Sequence, residues 1–126
     1  MEYINCPDAP AAIGPYSQAI KVENFLFVSG QIPLNPETGK ILYSTIQETT
    51  ELVLNNLIKI VKYSNFNVKD IVKITVYLKD ISYFSEFNKT YKKFFKIHKP
   101  ARVVVEVTNL PKEVNIEIDA ICIKNK

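Results

Sequence analysis

Arg102 is the residue whose chemistry most needs an explanation, because it opens the apolar run Val103–Val105. β-Branched residues in such a run predict a strand. A guanidinium is always charged and presents a rigid fork of donors, so at the mouth of an apolar strand it needs an anionic partner. Either an acidic side chain of the protein or a bound anion meets that need. The strand by itself favours a structural ion pair, because such pairs are common and arginine ligand sites are not.

Two carboxylates offer a second chemical feature near the end of the chain. Glu117 and Asp119 lie two residues apart in the predicted strand Val114–Ile123, so both project from the same face. Acidic side chains in a strand this rich in isoleucine need a partner or a chemical task.

Three further residues are candidates for a site. Tyr16 follows Gly14-Pro15, and such a turn can hold a phenol over a cleft, although packing on the surface of the core fits equally well. Gly30 lies near the end of the predicted strand Phe25–Gln31, where glycine indicates a bulge or a close approach of another backbone or a ligand. His98 is the only histidine, so we interpret it as a cap at the end of a helix and not as a catalytic base.

Periodicity predicts the elements that position these residues. They are strands Ala19–Val22 and Phe25–Gln31 joined by a tight turn, a helix Ser44–Tyr63, a strand Ile71–Lys79, a helix Ser82–His98, the Arg102 strand and the last strand. Ser44 with Gln47, or Thr45 with Glu48, supplies a capping box for the first helix. The alternation in the third strand places Val72 on the core side.

This order of elements predicts an α+β fold in which two helices pack on one face of a mixed sheet. The runs Phe25–Val28 and Val103–Val105 are apolar on both sides, so the uncovered face also needs protection from water. Self-association into a closed cyclic oligomer provides it. We expect Arg102 and Glu117 to lie on that open face and to line clefts between subunits.

The composition fits one domain spanning residues 1–126. Of these residues 47% are hydrophobic, and the formal net charge of +3 falls short of the basic excess typical of nucleic-acid-binding proteins. Cys6 and Cys122 lack the spacing of a metal site, and no apolar run is long enough to span a bilayer. No leader or transit segment is evident, and we expect a reduced, cytoplasmic protein without a membrane partner.

Six fragments in order resemble the Rid family of reactive-intermediate imine deaminases, also called YjgF-like or perchloric-acid-soluble proteins. They are Gly14-Pro15-Tyr16-Ser17-Gln18, Ser29-Gly30-Gln31-Ile32-Pro33, Asp70-Ile71-Val72-Lys73, Phe87-Asn88 with Tyr91, Pro100-Ala101-Arg102, and Ile116-Glu117-Ile118 with Ala120-Ile121. The resemblance implies a chorismate-mutase-like single domain and a homotrimer with its sheets facing inward. It also implies active clefts between neighbouring subunits.

The resemblance further implies hydrolysis of 2-imino acids to 2-keto acids and ammonia, without a metal or an organic cofactor. Arg102 would bind the substrate carboxylate, and Glu117 would position or deprotonate water. Tyr16 would form a hydrogen bond or wall the pocket. Gly30 would let the backbone approach the ligand, Ser29 would help to bind the substrate, and Asn88 would help to orient the ligand or the water.

Two departures and two alternative functions stay open. Val104 stands where such proteins usually carry a cysteine, and the turn before Pro100 is shorter, with Lys99 either favouring acidic substrates or pointing to solvent. Relatives are also labelled endoribonucleases or translation inhibitors. The sequence supports RNA as a partner only through four lysines of the second helix, Lys89, Lys92, Lys93 and Lys96. A sensor that binds 2-keto acids without turnover is the other alternative.

Overall fold

The computed structural model describes residues 1–125 and has one six-stranded sheet with two α-helices. The elements are β1 (Glu2–Ile4), β2 (Ala19–Val22), β3 (Phe25–Gln31), α1 (Ile46–Tyr63), β4 (Ile71–Leu78), α2 (Phe84–Phe94), β5 (Ala101–Glu106) and β6 (Ile116–Ile123). The strand order is β1-β2-β3-β6-β4-β5, and all neighbours are antiparallel except β4 and β5. The predicted α+β class with a mixed sheet is confirmed.

Helix α1 forms where its cap and its apolar stripe predict it. The Thr45 hydroxyl accepts a hydrogen bond from the Glu48 backbone amide at 3.2 Å, so Thr45 and not Ser44 is the N-cap. Leu54 and Leu57 are fully buried, and α1 packs on β3 and β6 while α2 packs against α1. Both helices therefore lie on one face of the sheet, as predicted. Neither helix in the described part of the chain could cross a membrane.

The prediction that Val72 points into the core is wrong. Ile71 is fully buried while Val72 is exposed. The pairing of β4 with β6 shifts between Ile71 and Lys73, so Val72 is the extra residue of a β-bulge. From Ile74 onward the alternation is as predicted, because the bulge resets which residues face the helices.

Helix α2 ends at Phe94, four residues before the predicted end at His98. Phe95 leaves the helical conformation, with φ −125° and ψ 61°, and its ring packs into the core 4.7 Å from that of Tyr91. His98 is therefore not a helix cap. Its Nε2 donates to the Ile71 carbonyl at 2.6 Å, which ties the segment after α2 to the start of β4.

The sheet face opposite the helices is uncovered in the single chain. Three apolar side chains are exposed on this face: Phe27 at 43%, Val103 at 40% and Val105 at 38%. They lie on the two sides of a polar centre that includes Tyr77 and Asp119. Isolated chains rarely leave so much of a sheet open to water. The face has the apolar character that the sequence predicted.

Candidate functional site

A cleft of about 970 Å³ lies beside the end of β3 and is lined in part by Tyr16, Ser29, Gly30 and Glu117. Four of the six residues predicted for the site are therefore brought together in one chain. Lys112 also lines this cleft. No group of His, Cys, Asp and Glu side chains within residues 1–125 is arranged to hold a metal ion.

A β-bulge in β3 forms the floor of the cleft. Val28 pairs with Ala120 and Gln31 pairs with Ile118, so Ser29 and Gly30 together face a single residue of β6. The bulge brings the backbone of Gly30 against Glu117. A Cβ atom at Gly30 would overlap Oε2 of Glu117 and lie 2.9 Å from its Cδ. Only glycine leaves the carboxylate in this position.

The segment that carries Tyr16 is anchored by hydrogen bonds to the same bulge. The Ser29 hydroxyl donates to the Ser17 carbonyl at 2.6 Å, and the Ser29 amide donates to the Gln18 carbonyl at 2.9 Å. The buried Gln18 amide in turn donates to the carbonyls of Cys6 and Pro10.

Gln18 thus organises the irregular N-terminal segment, a role that the sequence reasoning missed. A glutamine in a proline-rich stretch is ordinarily solvated, and its place in the Gly-Pro-Tyr-Ser-Gln fragment was the only signal. With this anchor in place, Tyr16 stands 54% exposed beside the cleft.

Glu117 lies on the open face and is partly desolvated. Burial raises its pKa above the usual range, and the negative charge of Asp119 on the same strand face raises it further. The Tyr77 hydroxyl donates to Asp119 at 3.0 Å, which fixes the second carboxylate beside the first. A carboxylate whose pKa is raised in this way is a stronger base than an exposed glutamate.

Arg102 and Asn88 form a second cluster away from this cleft. Nη1 of Arg102 donates to Oδ1 of Asn88 at 2.8 Å, and the guanidinium carbon lies 4.8 Å from the centre of the Tyr91 ring. Within residues 1–125, Arg102 forms no ion pair with a carboxylate. The structural ion pair that the strand by itself favoured is therefore not present in the described chain.

The expectation that Arg102 lies on the open face is wrong. Parallel pairing places Arg102 beside Ile74, which is buried under the helices, whereas Glu117 pairs with Tyr77 on the opposite face. Residues that pair across neighbouring strands project from the same side of a sheet. Arg102 and Glu117 of one chain are therefore separated by the sheet itself.

The two departures noted in the sequence lie near Arg102. Val104 is half-buried and packs against the core, so an apolar side chain suits this position. Nζ of Lys99 donates to the Lys96 carbonyl at 2.6 Å, which folds this exposed side chain back onto its own loop.

Comparisons with known proteins extend over nearly the whole chain. The family model described as Endoribonuclease L-PSP matches residues 6–124. The chain belongs to the endoribonuclease L-PSP family. The resemblance to the Rid and YjgF-like proteins is thereby confirmed.

Individual members of the L-PSP family agree closely with this chain. A RutC family protein of Pyrococcus abyssi is 51% identical over 123 residues, which cover 98% of this chain and 97% of that protein. The crystal structure of the YjgF gene product of E. coli has a TM-score of 0.94 at 43% identity, covering 99% of this chain and 100% of that one. E. coli TdcF with bound serine has the same TM-score at 40% identity and the same coverage.

Proposed function

We propose that this L-PSP family protein hydrolyses small 2-imino acids to 2-keto acids and ammonia. The observation that carries the proposal is the half-buried guanidinium of Arg102, which finds no carboxylate partner within the described chain. A free 2-imino acid or 2-keto acid carries the planar carboxylate that such a fork binds through two parallel hydrogen bonds. Each charge-assisted bond contributes about 1.5–3 kcal/mol.

The polar groups of the cleft suit the addition of water to an imine. The imine reacts in its protonated form. Glu117 removes one proton from water as the water oxygen attacks the imine carbon, which gives a neutral carbinolamine. Glu117 then passes that proton to the nitrogen, and the C–N bond breaks to release ammonia while the hydroxyl proton returns to Glu117 and the keto group forms. A positioned base of this kind contributes about 10²–10⁴-fold to the rate. The imine carbon is already electrophilic, so the proposed reaction uses no cofactor.

We place the working site between subunits of a homotrimer. Arg102 and Glu117 of one chain lie on opposite faces of its sheet, so one substrate can contact both only if they come from different chains. Burial of the open face around Phe27 and Val103 provides the driving force for assembly, and a closed ring satisfies every copy equally. Three equivalent clefts then combine Arg102 and Asn88 of one subunit with Tyr16, Ser29, Gly30 and Glu117 of its neighbour. The free thiols of Cys6 and Cys122 suit the cytoplasm as the compartment.

The test couples the protein to a pyridoxal-dependent threonine dehydratase in the presence of semicarbazide, which traps the released imine. Active protein lowers the rate of semicarbazone formation in proportion to its concentration. Arg102→Ala should abolish the effect, and Arg102→Lys should be nearly as damaging, because a point charge cannot replace the fork. Unchanged semicarbazone formation with wild-type protein would refute the proposal. If the keto acid still binds through Arg102 in that case, the protein is a sensor without turnover.

An action on RNA is the second candidate, favoured by the endoribonuclease label of the family model. The side chains of Lys89, Lys92, Lys93 and Lys96 are exposed along and just beyond α2. Neutralising these four lysines should then abolish an RNA affinity that falls steeply with salt concentration. RNA cleavage that elutes with the protein and is lost in the same variant would support this candidate over the deaminase.

A further inference from the structure

The helix above Arg102 presents a matched set of side chains to the guanidinium. Phe84, Phe87, Asn88 and Tyr91 occupy positions i, i+3, i+4 and i+7 of α2, which places all four on one face. The guanidinium carbon lies 5.6 Å, 5.9 Å and 4.8 Å from the ring centres of Phe84, Phe87 and Tyr91, here called the aromatic cage. Each distance is within the range of a cation–π contact.

The cage holds the cation without neutralising it. Burial raises the pKa of Tyr91 to about 12, so its hydroxyl stays protonated at neutral pH and contributes no negative charge. Asn88 likewise offers a neutral amide oxygen where an aspartate would fit. The positive charge of Arg102 therefore remains available to an anion that enters from outside.

The hydrogen-bond geometry also leaves part of the guanidinium free. The group has five N–H donors, and the bond to Asn88 engages one of them, on Nη1. A guanidinium can offer two parallel N–H groups to a carboxylate along either of two edges. The single hydrogen bond to Asn88 can block no more than one of these edges. At least one edge can still bind a carboxylate through two hydrogen bonds.

We infer that Asn88 and the aromatic cage are positioning residues that hold Arg102 in a fixed, uncompensated state for a substrate carboxylate. The inference rests on the proposed function and changes one part of it, because Asn88 acts through Arg102 and not through its own contact with the ligand. Preorganisation of this kind lowers the entropic cost of binding a small rigid anion.

Substitution of Asn88 tests the electrostatic half of the inference. Asn88→Asp keeps the shape of the side chain but supplies Arg102 with an internal counter-ion. The dissociation constant for 2-oxobutanoate, measured by calorimetry, should rise about tenfold or more. In the imine assay KM should rise by a similar factor while kcat changes little, since the lost interaction is equal in the ground state and the transition state. A substitution that only destabilised the fold would lower the apparent kcat instead, because fewer molecules would be active.

A matched control separates local charge from net charge. Lys89→Gln lowers the net charge of the protein by the same one unit, but at the exposed position that follows Asn88 in α2. It should leave both the dissociation constant for 2-oxobutanoate and KM unchanged. If Asn88→Asp binds 2-oxobutanoate within twofold of wild type, the electrostatic argument is overturned.

Substitution of Tyr91 tests the cage. Tyr91→Phe keeps the ring and removes a buried hydroxyl that has no hydrogen-bond partner in the described chain, so binding should be retained. Tyr91→Leu removes the ring and should weaken 2-oxobutanoate binding about 3- to 20-fold. Circular dichroism confirms folding, and equal affinities of a folded Tyr91→Leu variant and wild type would overturn this half of the inference.

The Arg102→Ala variant distinguishes failure of the inference from failure of the proposed function. Normal binding of 2-oxobutanoate to Arg102→Ala would refute the carboxylate receptor itself. Loss of binding there, with unchanged binding in Asn88→Asp and Tyr91→Leu, would refute only the positioning role of α2.

Discussion

Mixing two inactive variants gives the sharpest test of the proposed cleft. Arg102→Ala removes the proposed carboxylate receptor, and Glu117→Gln removes the proposed base, so the proposed trimer of either variant alone should be inactive. If each cleft takes Arg102 from one subunit and Glu117 from the next, a mixed trimer contains some clefts in which both residues are intact.

The size of the rescue follows from the arrangement of the two residues. In an equal mixture each cleft has a one-in-two chance of an intact Arg102 and an independent one-in-two chance of an intact Glu117. About one quarter of the clefts should therefore be active after random reassembly in a closed ring. The separation of Arg102 and Glu117 on opposite sheet faces is what makes the two chances independent.

The assay is the semicarbazone competition after the two variants are unfolded together and refolded. Variants refolded separately and then mixed provide the control and should stay inactive until subunits exchange. A co-refolded mixture with no more activity than this control, in which mass spectrometry shows mixed trimers, would refute the shared cleft. Activity well above one quarter of the wild-type value would also contradict the shared cleft, because random assembly makes no more than one quarter of the clefts intact.

Four other predictions concern Glu117, two residues that act on it, and the turn at Glu113. Gly30→Ala should lower kcat/KM about 10²-fold or more while leaving the protein folded, because the new methyl group displaces the carboxylate; unchanged kinetics would contradict the close approach. Asp119→Asn should move the acid limb of the kcat/KM profile to lower pH, because it removes a charge that raises the pKa of Glu117. Glu117→Gln should raise the thermal midpoint at neutral pH and lose that advantage as pH falls from the raised pKa to the ordinary pKa of glutamate, since the cost of ionising this group builds up between those two values. Glu113→Gly should stabilise the protein by about 0.5–1 kcal/mol in denaturant titrations, because Glu113 has a φ of 55°; an unchanged midpoint would argue against strain in this turn.

Periodicity and capping were sufficient for the parts of the fold that depend on local sequence. Of the two caps predicted for α1, the structure has the one at Thr45, and the predicted alternation of Glu117 and Asp119 in β6 is confirmed. Val72 was assigned to the wrong face because a β-bulge reverses the alternation and leaves no clear mark in an apolar run.

The face on which Arg102 lies could not be predicted from its own strand. A run of valines is apolar on both sides, so its pattern does not indicate which side packs on the helices. The parallel pairing with Ile74 fixes that side, and pairing between β4 and β5 is a long-range property of the fold. The role of Gln18 could not be predicted for a related reason. Its side chain donates to the carbonyls of Cys6 and Pro10, and the sequence does not indicate that these groups lie close together in the fold.

The separation of Arg102 from Glu117 has a chemical advantage that a site within one chain would lack. A flexible arginine beside a partly desolvated glutamate on the same face would form an ion pair, which would lower the pKa of the base and occupy the receptor. Here the sheet keeps the two apart in each chain, Asn88 and Tyr91 hold the cation, and Gly30 and Asp119 shape the surroundings of the carboxylate. In the proposed trimer the distance between the two charged groups is then set by packing between rigid sheets and not by side-chain flexibility. The substrate carboxylate would pair with Arg102 while the protonated imine nitrogen faces Glu117, so the cleft should favour imines that carry a carboxylate over those that lack one.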